Sequence, residues 1–99
     1  MKSMVKWKGA IGPGWEPVVE KAIDAIEDHG GFIMQVKEKF GGLRIYTQGG
    51  DREAIDDIIR DAESKTTVMC EDCGNVGTIR NIGGWLKTLC ETCYQTLEK

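Results

Sequence analysis

Residues 70–93 read CEDCGNVGTIRNIGGWLKTLCETC, and the two Cys-x-x-Cys pairs that bound this stretch, Cys70/Cys73 and Cys90/Cys93, decide how the C-terminal third folds. Sixteen residues separate Cys73 from Cys90, which fits the C-x2-C…C-x2-C zinc pattern. Two intervening residues let one tight turn aim both sulfurs at a single point, about 2.3 Å from a tetrahedral ion. Gly74 suits the positive-φ position that finishes such a turn. The second pair runs into Tyr94-Gln95-Thr96-Leu97, which has helical character, so those thiolates sit at a helix N-terminus where the dipole favours negative charge. Turn, hairpin, then a helix carrying the second pair predicts a treble-clef-like module (zinc-ribbon-like in its four-cysteine ligand set) over 66–99. It should hold one structural Zn2+ per chain. Four protein ligands leave no open position for water or substrate. A thioredoxin-type redox pair would need a βαβ context that this chain lacks, and disulfides do not suit a reducing cytosol.

Outward from the cysteines, residues 1–65 read as an α+β core. From Trp15 to Asp28 the apolar positions Trp15, Val18, Val19, Ala22, Ile23 and Ile26 follow helical spacing, and Pro17 falls in the first turn. The predicted helix spans 15–29. Gly30-Gly31 supplies its stop, and His29, the single histidine, stands near the dipole's negative end as a capping residue. A second helix is predicted over 51–64, with Asp51 as N-cap and Ala54, Ile55, Ile58, Ile59 and Ala62 as its buried stripe. Its outer face is acidic and reads as a solvated surface. Met4 to Lys8 alternates like a short edge strand. The resulting fold class is helix, β-hairpin, helix, followed by the zinc module.

The hairpin, residues 32–48, carries the functional expectation. A two-residue turn at Gly41-Gly42 would pair Phe40 with Leu43, Lys39 with Arg44, Glu38 with Ile45, Lys37 with Tyr46 and Val36 with Thr47. Because side chains alternate, one face then holds Met34, Val36, Phe40, Leu43 and Ile45, with Glu38 and Thr47 as polar exceptions. The other holds Gln35, Lys37, Lys39, Arg44, Tyr46 and Gln48. Three cations beside an aromatic suit phosphate and ring recognition, and a like-charge pair across the strands is consistent with an anion between them. Lys37, Lys39, Arg44 and Tyr46 are therefore the candidate ligand-binding residues. The plainer alternative is that they solubilise an open sheet face or pair with the acidic second helix. Trp85 is a further aromatic candidate, expected to pack against the zinc module.

Composition sets bounds on this. The 99 residues are 40% hydrophobic and 29% charged, with a formal net charge of −3. Four thiolates around one Zn2+ would add a further −2, so binding to nucleic acid must rest on a local patch and not on bulk charge. No apolar run approaches the roughly 20 residues of a membrane span, and the N-terminal residues lack a signal-peptide pattern. The expected location is cytoplasmic. No G-x-S-x-G, H-E-x-x-H, P-loop or G-x-G-x-x-G occurs, so the chain reads as non-enzymatic. A metal-dependent nuclease built on the carboxylates of the second helix is the weaker alternative.

The block Val36-Lys37-Glu38-Lys39-Phe40-Gly41-Gly42-Leu43-Arg44-Ile45-Tyr46, with Cys70-x-x-Cys73-Gly74 and Gly83-Gly84-Trp85-x4-Cys90, resembles a group of small uncharacterised zinc-binding proteins of bacteriophages and prophages. The resemblance covers residues 15–95 and implies phage origin and expression in the cytoplasm of a bacterial host. It brings no activity and no site residues. Small phage proteins often act against host defences, and the corresponding alternative is a counter-defence protein. It would inhibit a host immune effector by protein–protein contact, or sequester a nucleotide second messenger.

Overall fold

A computed structural model describes residues 6–97. Met4 and Val5 of the predicted edge strand at Met4–Lys8 lie outside them. Of its described members, Lys6 and Trp7 are irregular and Lys8 forms an isolated bridge with Ile11.

A single 3-10 turn at Pro13–Trp15 leads into α1 (Glu16–Asp28). Helix α1 ends at His29, whose N–H still reaches Ala25 and Ile26. Gly30 then turns left-handed at φ 82°. Its N–H donates to the Glu27 carbonyl and that of Gly31 to the Ile26 carbonyl, the paired bonds of a Schellman ending. Strands β1 (Phe32–Lys39) and β2 (Gly42–Gln48) form an antiparallel hairpin. Helix α2 (Arg52–Thr66) follows, with the Asp51 carboxylate accepting the Ala54 N–H at 3.3 Å. It runs two residues beyond the predicted end because Thr66 is buried and its hydroxyl bonds the Ala62 and Glu63 carbonyls.

The inner face of the hairpin lies on the two helices. Trp15, Val19, Ala22, Ile23 and Ile26 from the first helical segment meet Ile33, Val36, Leu43 and Ile45 from the strands and Ile55 and Ala62 from α2. The α+β class expected from periodicity is what forms. Helical and strand patterns each leave one apolar face, and here those faces cover one another.

The hairpin register differs from the expected one. The turn is Phe40-Gly41, both at positive φ (55° and 80°), so Lys39 faces Gly42, Glu38 faces Leu43, Lys37 faces Arg44 and Val36 faces Ile45. Two effects select it. The pair Val36–Ile45 brings two buried β-branched residues opposite each other, and the Glu38 carboxylate accepts the Gly41 N–H at 2.7 Å. A bulge between Ile33 and Gln35 adds one residue to β1, so Ile33 and Val36 both point inward. Met34 and Phe40, expected in the core, are instead 50% and 68% exposed. Among the described residues Phe40 is the one non-glycine at positive φ, a conformation costing about 1–2 kcal/mol in a residue with a Cβ. Asn-Gly is the favoured pair for such a turn. Phe40→Asn is therefore expected to raise stability by about 1 kcal/mol, read as a melting temperature higher by about 4–8 °C.

The C-terminal segment contains β3 (Thr78–Ile82) and β4 (Trp85–Leu89), paired antiparallel around Gly83-Gly84, and α3 (Glu91–Leu97). Its own buried cluster is small: Cys70, Leu89 and Cys90, with Ile82, Cys93 and Tyr94 against them. Three long-range hydrogen bonds among the described residues fasten it to the rest. The Trp15 indole N–H donates to the Met69 carbonyl at 2.7 Å. The Gly14 N–H donates to the Glu71 carbonyl at 2.7 Å, and the buried Thr88 hydroxyl donates to the Gly41 carbonyl at 2.8 Å.

Candidate metal centre and binding face

The two cysteine pairs come from different local structures. Cys70 and Cys73 sit on a turn closed by the Gly74 N–H donating to the Cys70 carbonyl at 2.9 Å, with Gly74 at φ 85°. Cys90 follows the end of β4 and Cys93 lies in the first turn of α3, where its N–H approaches the Cys90 sulfur at 3.4 Å. A buried carboxylate, unsuspected from the sequence, joins the two halves. Glu71 is 3% exposed and accepts the Thr88 N–H at 2.7 Å, while its own N–H donates to the Thr88 carbonyl. Burial pushes the Glu71 carboxyl above its ordinary pKa, and the Thr88 N–H holds part of that shift back. Arg80 fixes α3 from the other side. It lies 4.5 Å from the Tyr94 ring and reaches Glu91 at 3.3 Å.

All four sulfurs lie within 4.8 Å of one another, and Cys73 and Cys90 are 3.6 Å apart. A tetrahedron with metal–sulfur bonds of 2.3 Å has edges of about 3.8 Å, so the set fits a metal ion with little movement. Among the described residues this is the one cluster of His, Cys, Asp or Glu side chains able to do so. The thiols do not titrate alike. Burial raises Cys70, but the backbone N–H groups of Cys90, Cys73 and Asp72 outweigh it and hold the thiol at about 7. Contacts with the Cys90 and Cys70 sulfurs push Cys93 well up. For Cys73 the Asn75 N–H pulls down, but desolvation and the Cys90 and Cys70 thiols leave it raised. Four sulfurs crowded this way cannot all ionise without a cation among them.

The predicted ligand-binding residues fall together on the outward face of the first hairpin, because a register shift of two preserves which side each residue points to. Lys37 lies directly across from Arg44, and its ammonium stands 5.5 Å from the Tyr46 ring. Lys39 is two residues nearer the tip, opposite Gly42 and not Arg44. None of Lys37, Lys39 or Arg44 is ion-paired to a described carboxylate. Three of the five α2 carboxylates are taken up locally, Asp56 by Arg52, Asp57 by Arg60 and Asp61 by Lys65, all on the exposed side of that helix. The face is thus a patch of unneutralised positive charge, and pairing with the acidic helix does not account for it. Trp85, expected against the metal module, stands 66% exposed beside the second turn. Its position at the tip follows from pairing with Ile82 around Gly83-Gly84.

Fold and site define a small α+β protein with an appended four-cysteine module able to hold a metal ion. No protein-family model, curated protein or solved structure matches the chain. Among the described residues no helix is long and apolar enough to cross a membrane.

Proposed function

We propose that the chain is a non-enzymatic zinc protein that binds an anionic partner, nucleic acid or a phosphorylated small molecule, on the outer face of its first hairpin. The ion is one structural Zn2+ per chain. An all-thiolate set selects a soft or borderline metal, and four protein ligands leave no coordination position for chemistry. Turn, hairpin and helix around it are read as treble-clef-like. With the resemblance to phage proteins, the setting is a bacterial cytoplasm.

One observation carries the binding reading: Lys37, Arg44 and Lys39 share one sheet face with Tyr46 and have no described carboxylate partner. Placing Lys37 opposite Arg44 costs stability through like-charge repulsion, and an anion between them would relieve it. Three phosphate contacts give a log affinity against log salt slope of about −2 for a single strand. The double charge reversal Lys37→Glu/Arg44→Glu is expected to abolish measurable binding of a labelled single-stranded oligonucleotide. Metal content and melting temperature should stay near those of the parent. Equal affinity and slope in parent and variant, for the oligonucleotide and for inorganic polyphosphate, would refute the reading.

A further inference from the structure

Between the tips of the two hairpins lies a cleft of about 430 Å³, lined by Glu38, Lys39, Phe40, the Gly83–Gly84 turn and Trp85. Phe40 and Trp85 are the most exposed aromatic residues of the described chain, at 68% and 66%. Tips are where polar residues belong, and Phe40 is moreover held at φ 55° where asparagine would sit more easily. Neither aromatic is accounted for by packing.

The cleft is built in advance. Below it, the Thr88 hydroxyl holds the Gly41 carbonyl, and the Ile79 side chain lies against Gly41, so the two tips are fixed relative to each other. The second turn is itself pinned by the Gly84 N–H donating to the Asn81 side-chain oxygen at 2.7 Å. No atom lies within 4 Å of where a Cβ on Gly83 or Gly84 would be, which leaves that wall open. Charge is graded across it. One oxygen of Glu38 is engaged by Gly41, leaving the carboxylate as an acceptor for ring N–H groups. Lys39, 5.7 Å from the Phe40 ring, stands where the cleft meets the basic face of Lys37 and Arg44.

We infer that this cleft binds the heterocyclic base of a nucleotide unit, stacked on Phe40 and Trp85, with the phosphate directed to Lys39 and the basic face. The inference rests on the anion-binding reading above and names the ligand class that the same surface takes. Sequence-tolerant stacking beside a cationic strip is how single-stranded nucleic acid is held, and a free nucleotide offers the same ring and phosphate.

The test uses the full, metal-loaded chain and three probes: a short single-stranded oligonucleotide, the 5′-mononucleotides, and inorganic polyphosphate, which has no ring. Stacking should quench tryptophan fluorescence on addition of either ring-bearing probe. Trp85→Ala and Phe40→Asn are each expected to weaken binding of ring-bearing probes by about tenfold or more while polyphosphate binding holds. Both variants should keep their metal, and Phe40→Asn should melt higher. An oligonucleotide far tighter than any mononucleotide identifies single-stranded nucleic acid as the ligand, and comparable affinities identify the free nucleotide. If ring-bearing probes bind no better than polyphosphate and neither variant changes that, base recognition is overturned and the anion-binding face stands. If none of the three binds, both readings fall.

Discussion

Stripping the metal from this chain is expected to unfold the segment from Met69 to Leu97 while α1, the first hairpin and α2 keep most of their structure. The segment's fully buried residues are few, Cys70, Leu89 and Thr88 among them, and two cysteines make up most of its small buried cluster. Pieces this short rarely bury enough surface to fold without a staple, whereas a structural zinc ion supplies roughly 10–16 kcal/mol in comparable small modules. Cys73→Ser is the sharpest variant. Cys73 is exposed, so its loss removes a ligand without opening a cavity. Metal analysis should return about one zinc per parent chain and a large loss in the variant, and amide exchange should show β3 and β4 unprotected. Acid should act like a chelator. All ligands must be thiolates in the metal-bound state, and Cys93 and Cys73 are raised thiols without it, so falling pH favours protonation and release. Binding at neutral pH should correspondingly release protons. A metal-free chain with β3 and β4 fully protected would overturn this account.

Some of this is legible in the residues alone and some is not, for physical reasons. The cysteine spacing is a local constraint, since two residues between sulfurs make one turn whatever surrounds it, and the sulfurs do converge. Helical periodicity likewise marks the buried stripes of α1 and α2. The hairpin's faces are readable because alternation survives a shift of two, but its register is not. Local turn chemistry favours Gly41-Gly42, because Phe40-Gly41 holds a phenylalanine at positive φ. What tips the balance to the second is the Glu38 bond to Gly41, together with the docking of β3–β4. That docking runs through Thr88 and Ile79, which reach Gly41 across 47 and 38 positions of chain. Glu71 reads as one more surface acid, since nothing in Cys70-Glu71-Asp72-Cys73 says which of the two carboxylates is buried.

The other large effect is expected far from the cysteines in sequence. Gly14 sits so close to the metal turn that a Cβ there would lie 2.2 Å from the Cys70 carbonyl oxygen, 2.4 Å from the Gly74 nitrogen and 2.8 Å from the Cys73 nitrogen. These are backbone atoms and cannot rotate aside. Gly14→Ala must push the turn away from the core, and in doing so it breaks the Gly14–Glu71 bond and strains the neighbouring one from the Trp15 indole to Met69. Overpacking costs about 1–3 kcal/mol and each lost hydrogen bond about 1, so the loss should reach about 3 kcal/mol. Gly42→Ala is the matched control, because its nearest neighbour is the flexible end of Arg44 at 3.0 Å. It should melt near the parent. A second consequence separates this clash from simple destabilisation. In the parent, metal binding stabilises everything coupled to the folded site, so raising free zinc should shift the melting of α1 and α2 together with that of β3–β4. Once Gly14→Ala uncouples the turn from the core, zinc should protect only the cysteine segment, and one transition should become two. A variant that still melts once, at the parent's temperature, with an unchanged response to zinc would mean that the Gly12–Gly14 loop does not bear on the metal turn.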